Sequence, residues 1–183
     1  MEKLFIPIIL GTARKDRQSE NATQFILGEA QSYGFNTELI DVRDYLWGET
    51  IPAWVEDERT SPWKDIVNRA DGFIIVLPEY NHGYPGELKI LLDGAFKEYA
   101  KKPVALCGVS GGGFGGTRVV ENIRPILTGL ALVPISNTLY FSKIEDIADK
   151  DGKISEQYLK DGAQKMFEEL AWYGSALKTA KSN

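Results

Sequence analysis

Cysteine and histidine are almost absent from this chain of 183 residues, where Cys107 and His82 each stand alone. A single thiol closes no intramolecular disulfide, and one Cys with one His assembles no structural zinc site. A reducing, cytoplasmic setting is the expectation. A long apolar run is missing too: the stretch Leu4 to Leu10 is far too short to span a bilayer and contains Pro7. It makes a poor signal peptide, because Glu2 cancels Lys3 and cleavage after Ala13 would delete an expected strand. The third absence is positive charge in excess, since 21 Lys and Arg against 26 Asp and Glu leave a net charge of -5. That balance opposes general attraction to a nucleic-acid backbone, so any phosphate site must be local. What is present is an ordinary globular share of hydrophobic residues, 43%, over a length suited to a single domain spanning residues 1–183.

Apolar runs bounded by turn residues alternate with stretches of helical period, which is the pattern of strand and helix units around a parallel sheet. Five strands are expected, at Leu4 to Leu10, Thr37 to Asp41, Gly72 to Leu77, Val104 to Val109 and around Leu132 to Leu139. The run GFIIVL has no alternation and reads as a central strand buried on both faces. One helix is expected from a Ser19 cap to about Tyr33, ahead of Gly34, and another from the Ser61-Pro62 start to Ala70. A third runs from Gly86 to Tyr99 and a fourth from Thr117 to Thr128. In the last, Leu159, Met166, Phe167, Leu170 and Leu177 recur at helical spacing, after an acidic patch from Glu145 to Asp151. The segment Val42 to Thr60 carries Trp47, Pro52 and Trp54 without a period; it reads as an ordered excursion held by its aromatics, or else as a partner surface.

In an open parallel sheet, ligands sit outside the carboxyl ends of the strands. Three loops leave those ends with unusual composition: GTARKDRQS, PEYNHGYPG and SGGGFGG. The first gathers Arg14, Lys15 and Arg17 against Asp16 alone, with the hydroxyls of Thr12 and Ser19, at the start of a helix. Helix N-terminal N–H groups and arginine both favour a phosphate there, whereas a solvated basic turn with a serine cap is the bland alternative. The loop lacks the G-K-[ST] of a Walker sequence and the later glycines of a dinucleotide fingerprint.

The third loop matches two familiar patterns. Gly111, Gly113 and Gly116 satisfy G-x-G-x-x-G, but no acid ends the following strand to hold a ribose, so glycine density explains the match. Gly108, Ser110 and Gly112 satisfy the G-x-S-x-G of a hydrolase nucleophile elbow, yet the one histidine, His82, precedes Ser110 instead of following it. A Ser110-based hydrolase stays as a remote alternative, since a triad is recognised by geometry and not by order. Bare glycines let backbone approach a flat ligand closely, and the middle loop adds a tyrosine and an asparagine between two prolines. A phosphate grip beside a planar-ring slot describes FMN in a flavodoxin-like, doubly wound α/β sheet, five parallel strands in order 2-1-3-4-5 with helices on both faces.

At these residues the chain resembles the NAD(P)H-dependent FMN reductases, flavodoxin-like proteins that include quinone, azo-dye and chromate reductases. PEYNHGYPGELKILLD is close to that family's P-E-Y-N, P-G, L-K and Asp pattern, with GTARKDRQSEN before it and the Ser110 glycine loop after it. The resemblance implies that Thr12, Arg14, Gln18, Ser19 and Asn21 belong to the phosphate-binding segment. Around Arg17 and Gln18 this loop holds extra residues relative to shorter members. Pro78, Glu79, Tyr80 and Asn81 match the residues placed against the isoalloxazine ring, and Ser110, Gly111 and Gly112 the second ring-binding loop. It further implies NADPH or NADH as co-substrate, a small-molecule electron acceptor such as a quinone, azo compound or flavin, and a homodimer or homotetramer. No catalytic side chain and no metal are implied, because flavin N5 carries the hydride. A flavodoxin-type electron carrier, or a sensor with little turnover, is the alternative from another class. Beside these, His82 reads as a polar loop residue, Lys89 and Asp93 as solvated by default, in the less favourable order for an ion pair, or else as an intersubunit contact, and Cys107 as core.

Overall fold

The computed structural model describes residues 3–182. Strands β1 (Ile8–Leu10), β2 (Leu39–Asp41), β3 (Phe73–Pro78), β4 (Pro103–Val109) and β5 (Val133–Phe141) form one parallel sheet in the order β2-β1-β3-β4-β5. The expected order is therefore the observed one. β1 is shorter than expected because Pro7 has no N–H to give; ahead of it the chain still runs beside β2, with Ile6 N–H donating to Asn36 C=O at 2.8 Å. Every residue of β3 and β4 is buried, as two-sided cover requires.

Alternate side chains of those strands feed two cores. On one face Phe73, Ile75, Leu77, Val104 and Leu106 meet α2 (Ser61–Arg69), α3 (Gly86–Asp93) and α4 (Thr117–Gly129). On the other, Ile74, Val76, Ala105 and Cys107 meet α1 (Ser19–Tyr33) and α6 (Gln157–Ser182), while a short α5 (Ile144–Ile147) follows β5. Cys107 is core, and burial pushes its thiol up, away from redox use.

Three expectations are corrected. The helix from Gly86 to Tyr99 stops at Asp93, and a separate 3₁₀ turn, Lys97–Tyr99, follows. Trp47 lies against Gly94 so closely that a Cβ there would stand 2.3 Å from the ring, and Phe96 leaves helical geometry and is exposed. Tyr99 still reaches the core, but by way of the turn. Neither serine caps as expected: Gln18 and Thr60 occupy the N-cap positions, and Ser19 and Ser61 are the first helical residues. Lys89 and Asp93, expected to be solvated, form an i,i+4 ion pair on α3. The excursion after β2 is anchored by Tyr45 and Trp47 against the first core, whereas Trp54 is 86% exposed.

Trp63, Phe73 and Tyr99 form an aromatic knot under this excursion, tied by a Trp63 Nε1–H bond to Tyr99 Oη of 3.0 Å in a fully buried setting. Tyr99→Phe leaves that indole N–H without an acceptor and is expected to lower unfolding free energy by about 1–3 kcal/mol. Urea melts of the two proteins measure it; coincident midpoints would show that the indole had found another acceptor.

Candidate functional site

Parallel pairing brings the carboxyl ends of β1, β3 and β4 to one edge, and their three loops enclose a cleft of about 430 Å³. Arg14 to Ser19 form one wall, Pro78, Glu79 and Tyr80 a second, and Val109, Ser110 and Gly111 a third, with Ile144 and Glu145 beside them. The volume falls in the range of small-molecule and cofactor sites.

The first wall is the N-terminal end of α1. Ser19 is 2% exposed, and its hydroxyl is buried with no protein partner. Among the described residues, no protein acceptor meets the N–H groups of Lys15, Asp16, Gln18 or Ser19. A buried hydroxyl and open amides at the head of a 15-residue helix form a site for an anion. Arg14 stands at its mouth, its guanidinium 5.1 Å from the Tyr80 ring centre.

Arg17 has a different fate. Its buried guanidinium donates from Nη1 to Asp41 Oδ1 at 2.7 Å and to Thr12 C=O at 2.5 Å, and from Nη2 to Asp41 Oδ2. The Asp41 hydrogen bonds, against the cost of burial and together with the charges of Asp41 and Glu20, raise the Arg17 pKa further. Burial pushes the Asp41 carboxyl up, but the Arg17 and Arg43 hydrogen bonds and charges outweigh it and hold it below the usual carboxylate range. Thr12, fully buried, accepts from Arg14 N–H, donates to Glu87 Oε1 at 3.1 Å and meets Tyr80 Oη at 3.2 Å. It braces the first loop against the second.

In the second wall, Tyr80 to Gly83 is a tight turn closed by two backbone hydrogen bonds, with Asn81 and His82 both at positive φ, the geometry of a primed turn. Glu79 turns its carboxylate away to the N-terminus of α4, accepting from Arg118 N–H at 3.1 Å and pairing with its guanidinium. In the third, Ser110 Oγ donates to Gly112 C=O at 3.0 Å, so no base holds it, and His82 does not line the cleft. These contacts give the hydrolase alternative no support. Gly108 must be glycine, since a Cβ would stand 2.6 Å from the Gly115 carbonyl where the loop folds back over β4.

A model of a family described as NADPH-dependent FMN reductase matches residues 5–146, which hold all five strands and all three walls. This chain belongs to the NADPH-dependent FMN reductase family. An NADPH azoreductase of Bacillus sp. (strain OY1-2) is 29% identical over 181 residues, covering 95% of this chain and 94% of that one. An NAD(P)H-dependent FMN reductase of Saccharomyces cerevisiae is 37% identical over 90 residues, 46% of each chain, so that alignment spans about half of the relative's length. Among solved structures, the flavoenzyme NAD(P)H:(acceptor) oxidoreductase FerB of Paracoccus denitrificans superposes with a TM-score of 0.76 at 19% identity, over 93% of this chain and 98% of that one. That likeness bears on the fold alone.

Of the residues singled out in the sequence, Arg14, Gln18, Ser19, Pro78, Glu79, Tyr80, Ser110 and Gly111 line the cleft together. Thr12, Asn21, Asn81 and Gly112 do not. Asn21 instead donates to Gln18 Oε1, and Gly112 C=O accepts from Lys143 N–H. Lys15, Asp16, Arg17, Val109, Ile144 and Glu145 line the cleft without having been singled out as site residues. Glu145 lay inside the acidic patch, and only the fold brings it beside Gln18. No group of residues suited to hold a metal occurs among the described residues, and none of their helices is long and apolar enough to cross a membrane.

Because the Asp41 pKa is lowered by folding, its contribution to stability is complete above its ordinary value of 3.8 and is lost as pH falls through the lower folded value. Asp41→Asn is therefore expected to cost about 1.5–3 kcal/mol at neutral pH, with the gap to wild type closing in acid. Chemical denaturation across that range checks the sign: a gap that stays constant into acid would remove the charge from the argument.

Proposed function

We propose that this cleft holds FMN and that the protein is an oxidoreductase moving hydride from NADPH or NADH through that flavin to a small-molecule acceptor such as a quinone, an azo compound or a free flavin. The observation that carries the reading is the buried, unpartnered Ser19 hydroxyl among open amides at the head of α1. A phosphate is the group that satisfies such donors. Ser19, the Gln18 and Ser19 N–H groups and Arg14 would take it, and the backbone of Pro78, Glu79 and Tyr80 with Ser110 and Gly111 would flank the ring. When bound, FMN supplies N5 as hydride acceptor and donor, which the protein's own side chains cannot do. What the chain contributes is position: the Tyr80 turn is closed by its own hydrogen bonds, and Glu79 ties it to α4, so the ring slot is set before a ligand arrives. One open slot then serves nicotinamide and acceptor in alternation, without triad or metal. Membership of the FMN reductase family supports the reading, as do the azoreductase and quinone reductase names among its relatives. A single FMN-binding domain working in the cytoplasm fits it.

The direct test is an anaerobic visible spectrum of the protein with FMN, before and after stoichiometric NADPH. Bleaching that reverses on adding a quinone is expected; bound flavin that stays yellow with both NADPH and NADH would mean a carrier or sensor. Arg14→Ala is expected to weaken FMN binding about tenfold or more through lost charge-assisted bonds, and unchanged affinity by flavin fluorescence titration would remove Arg14 from the phosphate.

The same reading includes self-association. Trp54 and Phe96, 86% and 56% exposed, border one depression with Val55. Together the two side chains expose about 300 Å² of apolar surface, at the lower end of the largest patches that monomers carry. Its rim carries Glu56 and Glu98 against Lys64 and Lys97, a mixture that a two-fold pairing sets opposite itself. Light scattering is expected to give at least a dimer and Trp54→Asp a shift to monomer; a monomeric wild type would overturn the pairing.

A further inference from the structure

We propose that Asp41, with Arg17 and Arg43, is the positioning device of the phosphate loop, setting the affinity for the phosphate half of the cofactor without touching it. The inference rests on the FMN reading and names residues beyond it. Three successive carbonyls of the first loop are each taken by a cationic donor: Thr12 C=O by Arg17 Nη1 at 2.5 Å, Ala13 C=O by Arg43 Nε at 3.2 Å, and Arg14 C=O by Arg43 Nη2 at 2.5 Å. Both arginines converge on one carboxylate at the end of β2. Arg17 grips it with two nitrogens, and the Arg43 backbone N–H donates to its Oδ1 at 3.0 Å.

The consequence for an anion is direct. Carbonyl oxygens repel phosphate, and here the three that precede the anion site are held by guanidinium groups. The amides of Lys15, Asp16, Gln18 and Ser19 are left without protein acceptors. An ordinary surface loop of seven or eight residues would not hold that division by itself. Asp41 lies outside the set lining the cleft, and so does Arg43, whereas Arg17 lines it but has its guanidinium committed to Asp41 and Thr12. The pair also explains why two arginines three residues apart differ: Arg17 is neutralised and buried, and Arg14 remains at the mouth.

The test compares FMN with riboflavin, which shares the ring and lacks the phosphate, by fluorescence titration of wild type, Asp41→Asn, Arg43→Lys and Arg43→Met, with a thermal melt of each. Positioning predicts that the preference for FMN over riboflavin falls about tenfold in Asp41→Asn and in both Arg43 variants, while riboflavin affinity stays within about twofold. The sign for Asp41→Asn is decisive: removing a negative charge near an anion site strengthens phosphate binding if only long-range charge matters, and weakens it if loop geometry does. Arg43→Lys separates the same two causes, since lysine keeps the charge but cannot fork to two carbonyls. The proposal is overturned by tighter FMN binding in Asp41→Asn, by full rescue in Arg43→Lys, or by equal losses of FMN and riboflavin, which would mark a merely structural role. Equal affinity of the wild type for FMN and riboflavin would overturn the phosphate reading itself, and this inference with it.

Discussion

Parallel pairing of β3 with β1 on one side and β4 on the other is the constraint on which the rest depends. All carboxyl ends then fall at one edge, and helices must cover both faces, because neither face of β3 or β4 tolerates water. The ladder also ends at that edge. Beyond Pro78 and Val109 the backbone continues for a step, with Glu79 N–H donating to Val109 C=O at 2.9 Å, and then turns away. Loops that have just left a ladder carry polar groups without automatic partners, and a cleft grows there.

How those groups are satisfied decides the chemistry. Of the helices that begin at this edge, α1 and α4 have first turns treated in opposite ways. At α4 the Glu79 carboxylate accepts from the Arg118 and Val119 N–H groups, so the anion that a helix N-terminus favours is already supplied by the protein. At α1 the acidic residue of the first turn, Glu20, is drawn off by Arg17, and the buried Ser19 hydroxyl meets nothing. A negatively charged protein thus leaves a local place suited to an anion, in keeping with a net charge of -5 that opposes general attraction to phosphate.

Much of this was legible in the residues, and the failures have physical causes. Both central strands and α1 followed from apolar runs, helical period and Gly34, all local signals, whereas the strand order followed only from the flavodoxin-like reading of the three loops. Three loops of odd composition marked the edge. The break after Asp93 was obscured because the apolar residues continue at helical spacing through Tyr99; its local signal was Gly94 at the helix end, whose missing Cβ also leaves room for Trp47. The division of labour between Arg14 and Arg17 was not legible. Both sit in one basic loop, and only the arrival of β2 with Asp41 at its end distinguishes them. Composition reveals that a loop is cationic, whereas tertiary pairing decides which cation is spent on the fold.

The glycine loop after β4 shows the same principle applied to backbone. SGGGFGG leaves open space above Gly111, Gly112 and Gly113, where an added Cβ would meet nothing within 4 Å. The tight glycines are the outer ones, Gly108, Gly115 and Gly116, whose Cβ positions would collide with backbone or with Tyr140. Close approach within the loop therefore fixes its shape, and the central glycines leave the space in front of it open. Lys143 and Ile144 N–H groups donate to the Gly112 and Ser110 carbonyls from the β5 side, which removes two more acceptors from the loop. A flat ligand entering between this wall and the Tyr80 turn meets backbone that is already shaped and largely satisfied, so its binding reorders little. If the cleft holds FMN as proposed, a preshaped ring wall beside a phosphate loop braced by Asp41 would let cofactor retention vary at Asp41 while the chemistry at the ring stays constant.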